Sequence, residues 1–349
     1  MKRNLKRFVF FLKDSNKKPA LSIMTDIMSL WVLKKEFPFH YFGRFLYRKN
    51  SPNPKNFMTQ KQYNRLVTHV VNVNINNPEN SKLLDNKLLF YKHCKLHNLP
   101  SPEIISYSTG ETFYFENRAF KVTNSEEFLL FFKKLHATKI CLKPMDSKAG
   151  IGVMILTLDK LTNEKDRIWE IIKNKNYILQ EVIIQHPAIN NIYPKSINTI
   201  RIEAYLDSKG EHHILGTLMR FGSEGTEVDN ISQGGFFVSI NYENGTLFKY
   251  GKTNLIHEGK LLEKHPDTDF IFKNFKIPFF KDSIQLVKEA TLKTPGYVYA
   301  WDIAITPNGP TIIEGNNYPS FTTGELSYGG YKNRIAFKEI FNDANIKYI

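Results

Sequence analysis

The sequence predicts an α+β fold: a basic helical N-terminal region followed by a larger mixed-sheet region. Three observations carry this reading. In the first fifth of the chain, apolar residues such as Ile23, Ile27, Leu30 and Trp31 recur at helical spacing. From about residue 103 the texture changes to short strands separated by loops. One long helical pattern, around 281–293, sits among those strands.

The elements follow in order. Residues 20–50 read as helices interrupted near Pro38, and Asn50-Ser51-Pro52-Asn53-Pro54 reads as a turn or linker. Residues 58–73 form another helical stretch. Leu83 to Asn98 reads as one helix, ended before Pro100 and Pro102. Strands are expected at 104–107 and 112–115, with a helix at 126–136. Lys139 to Lys143 reads as a buried strand, followed by the loop Asp146 to Gly152 and a second apolar strand, 153–156. Further strands are expected at 177–184, 199–206, 214–221, 235–240, 297–305 and 310–314. A last helix spans 334–343. The organisation expected is three segments: 1–80, basic, aromatic-rich and helical; 81–185, with the phosphate loop; and 186–349, with the acidic set.

Composition excludes several classes. At 349 residues and 42% hydrophobic, the chain can bury a real core, which rules out global disorder and a collagen-like chain. Two cysteines, Cys94 and Cys141, cannot staple a disulfide scaffold and fit a reducing compartment. The run Phe8 to Leu12 follows a basic start but is too short for a spanning segment or a signal-peptide core. The expected location is cytoplasmic, with room for peripheral contact at the inner face of a membrane. The formal net charge is +14, and residues 1–65 hold 15 Lys+Arg against Asp14, Asp26 and Glu36. The basicity therefore belongs to the N-terminal segment. Its aromatics (Trp31, Phe37, Phe39, Tyr41, Phe42, Phe45 and Tyr47) are read as the buried face of helices with lysines outside. The segment as a whole is read as a docking surface for an anionic polymer or a membrane face. Nucleic acid is not expected, because no recognition motif or zinc pattern accompanies it.

Three constellations carry chemistry. Lys143 ends a buried strand beside a loop containing Gly150 and Gly152. A lysine point charge with glycine backbone amides suits polyphosphate, although a plain hairpin gives the same pattern. Asp302 lies 12 residues before Glu314, and Asn308-Gly309-Pro310 between them reads as a hairpin turn. Adjacent strands then carry Asp302 and Glu314, with Asn316 on the same strand face as Glu314. These three oxygen ligands suit Mg²⁺; the alternative is surface carboxylates near a turn. Finally, Ser196 to Arg201 opens a strand, and Arg220 ends the next. Each arginine can neutralise a transferring phosphoryl group or serve as an ion-pair partner.

Taken together, Lys143, the Gly loop, Gln180-Glu181 and Asp302…Glu314-Gly315-Asn316 resemble the ATP-grasp superfamily. Ser196–Arg201, Val228-Asp229-Asn230 with Gly234-Gly235, His265-Pro266-Asp267-Thr268 and Gly296 to Asn316 are similar to its sugar-transfer-associated family. The resemblance spans roughly 80–325. It implies two α+β subdomains clasping ATP. Lys87 and Lys143 would hold phosphates, and the loop of Lys148, Gly150 and Gly152 would close over them. Gln180, Glu181 and the backbone of Val182 would meet the adenine end, and Asp302, Glu314 and Asn316 would bind Mg²⁺. Arg201, with Lys143 and Arg220, would serve the transferring group. Asn198, Asp229, Asn230, Ser232 and Gly234 would contact substrate. Two departures stand out: Asn86 precedes Lys87 where Asp is expected, and Ala300 stands where several ligases of the superfamily carry Arg. The implied activity is a carboxylate–amine ligase working through an acyl-phosphate. Its partners would be a small amine or amino acid and a carboxylate-bearing sugar or polysaccharide. The rivals are a phosphotransferase acting on a hydroxyl and a non-catalytic anion- or membrane-binding module.

Overall fold

The computed structural model describes residues 9–345 apart from 76, 148–149, 227–228, 232–233, 254–258 and 333. Two antiparallel sheets organise it. The first has six strands in the order β3-β2-β1-β6-β4-β5. They are β1 (Ile104–Thr109), β2 (Thr112–Phe115), β3 (Arg118–Lys121), β4 (Lys139–Pro144), β5 (Met154–Thr157) and β6 (Tyr177–Glu181). The second has seven, in the order β11-β10-β9-β8-β7-β12-β13. They are β7 (Thr199–Leu206), β8 (His212–Phe221), β9 (Phe236–Ile240), β10 (Leu247–Thr253), β11 (Leu261–Leu262), β12 (Val298–Thr306) and β13 (Gly309–Asn316).

Side-chain alternation gives each sheet one dry face and one chemically rich face. In the first sheet, Ile140, Leu142, Leu156 and Leu179 point into a core with Phe128, Phe132, Leu161 and Trp169 from the helices Ser125–Lys134 and Leu158–Ile172. Their strand neighbours Cys141, Lys143, Ile155, Ile178 and Gln180 take the opposite face. In the second sheet, Ile200, Ile202, Met219, Phe221, Trp301 and Ile303 pack against Leu286, Val287 and Ala290 of the helix Phe280–Lys293. Thr199, Arg201, Glu203, Arg220 and Asp302 are thereby turned the other way.

The sequence reading needs three adjustments. The helix expected at 83–98 is two, Pro78–Asp85 and Lys87–Leu96. Asn86 divides them with extended backbone, and its side chain accepts hydrogen bonds from the amides of Leu88 and Leu89, an N-cap that starts the second helix. The helix expected at 58–73 runs Gln60–Leu66 and then widens into a π-helical turn, Val67–Val71. The short strands β3, β10 and β11 and the helices Leu158–Ile172 and Phe321–Tyr328 lay outside the expected set. Cys94 and Cys141 are both buried and free.

The N-terminal region packs onto the chemically rich face of the second sheet. Met58, Leu66, Val70 and Val71 join Tyr205, Leu215 and Val298 of the sheet in one core with Phe321, Tyr331, Phe337 and Phe341. Asn74, fully buried, donates to the carbonyls of Val298 (2.8 Å) and Asn317 (3.2 Å) and accepts from the Tyr297 amide. A smaller cluster of Ile23, Leu30, Tyr41, Leu46, Tyr47 and Phe57 sits above it. Between the two cores the Arg44 guanidinium meets Glu325 at 2.6 Å, and the other oxygen of Glu325 accepts from the Met58 amide. Tyr41 and Tyr47 are thus buried, as the helical reading expects. Trp31 (49% exposed) and Phe39 (61%) are not.

Removing one partner of a buried ion pair leaves an uncompensated charge. Arg44→Met is therefore expected to lower the unfolding free energy by roughly 3 kcal/mol or more. Urea denaturation measures this; a loss below about 1 kcal/mol would place the pair among solvent-screened bridges.

Candidate active site

A cleft of about 570 Å³ lies between the chemically rich faces of the two sheets. Its first wall comes from β4, β5 and β6. The Lys143 ammonium donates to Gln180 Oε1 at 2.8 Å, and Gln180 Nε2 donates to the Pro102 carbonyl at 3.0 Å. Cys141, Ile155 and Ile178 make the apolar part of that wall, and Glu181, Val182 and Ile183 continue it where β6 ends. The Glu181 carboxylate accepts from the Glu103 amide at 2.9 Å, the Glu181 amide donates to the Glu103 carbonyl at 2.9 Å, and Glu181 and Val182 both line the cleft. The Gly150–Gly152 turn closes one side. Gly152 has φ +76°, and a Cβ there would lie 2.9 Å from the Pro144 ring.

The helix Lys87–Leu96 starts at the cleft edge. The Lys87 ammonium donates to the Ser147 carbonyl, and the Lys87 amide donates to the Met145 carbonyl at 3.1 Å. Asn86, which replaces the expected Asp, holds Asp146 through its side-chain amide at 3.3 Å.

The opposite wall is charged. Asp302 on β12 pairs in register with Arg201 on β7 and with Glu314 on β13. Its carboxylate, 1% exposed, receives the Arg201 Nε at 2.6 Å and the Arg220 Nη2 at 3.0 Å. Arg220 also donates to Thr199 Oγ1 at 2.6 Å, and Thr199 donates its hydroxyl proton to Asp229, 2.5 Å away. On β13 the register slips by one residue between Ile312 and Glu314, a bulge at Ile313. Gly315 lets the strand lie flat there, since a Cβ would meet the Trp301 ring at 2.7 Å. Asn316 then donates to Glu314 Oε1 at 3.2 Å on the cleft side.

Two carboxylates this close do not both ionise freely. Burial pushes Asp302 up to about 7 against the pull of Arg201 and Arg220, and the hydrogen bond it shares with Glu314 adds to the rise. Burial also works against the charged form of Glu314. There the hydrogen bond from Asp302, both arginines and Asn316 outweigh it and bring the group to about 2. Asp302 and Glu314 lie side by side, with the Asn316 side chain next to them. This all-oxygen donor set fits a hard divalent cation such as Mg²⁺.

Of the residues expected from sequence, Lys87, Lys143, Gly150, Gln180, Glu181, Val182, Arg220, Asp229, Asn230, Asp302, Glu314 and Asn316 line the cleft. Four others lie off its lining. Arg201 is turned into its ion pair with Asp302. Asn198 is fully buried and donates to the Gln185 side chain and the Tyr193 carbonyl, because the 185–198 turn needs those bonds. Gly152 shapes the turn behind the lining, and Gly234 accepts from Ser223 through its carbonyl. Lys148 and Ser232 lie outside the described residues. Sequence reasoning missed Thr199 as the link between Arg220 and Asp229. It also missed the apolar lining by Leu84, Phe90, Ile312 and Ile313 and the contribution of Tyr318. For Thr199 the signal was present: it lies two residues from Arg201 on the same strand face.

A family model for sugar-transfer associated ATP-grasp proteins matches residues 68–336. No curated protein sequence matches the chain. Among solved structures, D-alanyl-alanine synthetase A from Vibrio cholerae aligns at 12% identity and TM-score 0.46, covering 77% of this chain and 67% of that one. The VanG D-Ala:D-Ser ligase from Enterococcus faecalis aligns at 13% and 0.45, covering 78% and 63%. Phosphoribosylamine–glycine ligase from Thermotoga maritima aligns at 12% and 0.45, covering 76% and 56%.

Behind Arg201 on β7, Glu203 is 3% exposed, with the Tyr331 hydroxyl 3.3 Å away. Burial pushes its carboxyl up to about 7, against Arg201 and Tyr331. The folded pKa lies above the unfolded value of 4.5, so Glu203 destabilises increasingly as pH rises from there toward 7, and constantly above. Glu203→Gln removes that penalty. Its melting temperature relative to the unsubstituted protein is expected to improve between about pH 5 and about pH 8. A pH-independent difference would show that Glu203 keeps an ordinary carboxylate pKa in the fold.

Proposed function

The chain belongs to the sugar-transfer associated ATP-grasp family, an ATP-dependent ligase class, and from that premise we propose that it joins a carboxylate to an amine through an acyl-phosphate. The observation that supports this most directly is the opposition across one cleft of Lys143 and Lys87 with the Asp302–Glu314–Asn316 set and Arg220. ATP would lie between the sheets. Its base would rest against Cys141, Ile155 and Ile178, with the Glu181–Val182 backbone at its edge, and its phosphates would run toward Lys143 and Lys87. Asp302, Glu314 and Asn316 would hold Mg²⁺, which supplies charge neutralisation at the phosphate oxygens when bound.

Arg220 is the arginine placed to meet the transferring γ-phosphoryl group, since it lines the cleft. It supplies the charge for which several ligases of the superfamily use an arginine at the position of Ala300. Hydrogen bonds to Thr199 and an ion pair with Asp229 at 3.5 Å fix its guanidinium, so it need not reorganise as charge develops. Arg201 acts one step back by orienting Asp302. The carboxylate substrate would take the γ-phosphoryl, ADP would remain, and the amine would displace phosphate as the amide forms. Asp229 and Asn230, which also line the cleft, would contact that substrate. We assign it to the uronic-acid class, with an amino acid or simple amine as the nucleophile in surface-polysaccharide synthesis. The family's association with sugar transfer supports this choice.

Three experiments test the proposal. Mg·ATP binds only the folded cleft, so at a hundred times its dissociation constant it adds about 2.7 kcal/mol of apparent stability. Thermal unfolding unmoved by millimolar nucleotide would leave a non-catalytic module. Glu314→Gln keeps the shape and removes a charge; ADP release is expected to fall at least about a hundredfold while the melting transition stays cooperative. A screen of uronic acids against amines, with mass spectrometry, is expected to give amine-dependent phosphate and an amide. A phosphorylated product without free phosphate would instead establish a phosphotransferase.

A further inference from the structure

The helix Ala20–Lys34 is apolar on two sides. Ile23 and Leu30 point inward to Tyr41, Tyr47 and Phe57. Leu21, Met24, Met28, Trp31 and Val32 point outward and are between 49% and 74% exposed. At 3.6 residues per turn these five fall within one arc of about 100°. Phe37 joins Trp31 edge-to-face at 5.6 Å and Phe39 at 4.8 Å, so an aromatic ridge extends the patch past the helix end. A helix on the surface of a soluble domain ordinarily shows one apolar stripe, and a contiguous exposed one marks a site of contact.

Charge identifies the partner. Residues 1–35 carry nine Lys+Arg against Asp14 and Asp26. Both acids are engaged on the inner side: Asp14 with Arg48 at 2.6 Å, and Asp26 with Lys18 at 2.9 Å and the Tyr41 hydroxyl at 2.8 Å. Lys13 and Lys35 are exposed, and Lys35 follows directly on the end of the helix. A second copy of the chain would bring two strongly basic segments together. An acidic polymer offers charge but no apolar medium for five hydrophobic side chains. A bilayer with anionic headgroups offers both. No helix among the described residues is long and apolar enough to cross a membrane, so contact would be lateral.

We propose that this face docks on the surface of an anionic lipid bilayer. The helix lies in the interface, with Leu21, Met24, Met28, Trp31 and Val32 in the acyl boundary and the lysines at the headgroups. The chain has three tryptophans, and Trp169 and Trp301 are buried, so Trp31 is its own reporter. The full-length protein is expected to sediment with vesicles containing phosphatidylglycerol, more weakly as salt rises, and hardly with phosphatidylcholine alone. Its tryptophan emission should shift to the blue on binding. Met24→Ser/Met28→Ser is expected to weaken vesicle binding roughly tenfold or more while the Mg·ATP thermal shift stays unchanged. Absence of sedimentation, or binding insensitive to the double substitution, would overturn the proposal. So would lipid-free self-association abolished by that substitution, which would assign the face to a second copy. Binding to a soluble acidic polysaccharide without binding to vesicles would assign it to a polymer.

Discussion

A carboxylate with almost no access to water is the constraint from which the rest of this site follows. Asp302 sits on β12, an interior strand of the seven-stranded sheet, buried where an isolated charge is untenable. β7 and β8 answer with Arg201 and Arg220, and Arg220 in turn is held by Thr199 and Asp229. The result is a connected network in which each group holds the next in place. Breaking any link leaves another charge buried and unpaired, so the network fixes geometry more than it adds net stability.

The alternation of strands turns that constraint into a working surface. Every second residue of β7, β8 and β12 goes to the hydrophobic core, and the residues between them collect the polar groups on one side. The first sheet does the same with Lys143 and Gln180. When the two faces meet, cations and oxygen donors oppose each other across a cleft with apolar sides. The bulge at Ile313 and the missing side chain at Gly315 let Glu314 and Asn316 join Asp302 without disturbing Trp301.

The N-terminal region serves both the fold and the outer surface. Its inner residues complete the core beneath the polar face, pinned by Asn74 and by the Arg44–Glu325 pair. Its outer residues expose an apolar stripe, with the exposed Lys35 just past the end of its helix. The basic charge of the chain is therefore concentrated on the side of a packed element, apart from the phosphate-handling groups of the cleft.

Much of this was legible in the residues themselves. The hairpin expected at Asn308-Gly309-Pro310 turns at Pro307-Asn308, with Gly309 and Pro310 already in β13, and it sets the partnership of Asp302 with Glu314 because a hairpin's register is local. The strands of the second sheet that carry the polar groups, and the lysine at the end of β4, followed from short-range pattern. Division of the helix at Asn86 was less visible, since capping depends on one side chain competing with helical periodicity. The fate of the arginines was not visible at all: Arg201 and Arg220 look alike in sequence and both pair with Asp302, and only the lateral order of β7, β8 and β12 brings Arg220 alone of the two to the cleft lining. The aromatics of residues 31–47 likewise share one composition but divide into buried Tyr41 and Tyr47 and exposed Trp31 and Phe39. The sequence by itself determined which residues pair along the chain. The tertiary structure decided which of them meet water, because burial is a property of the neighbours that distant segments bring.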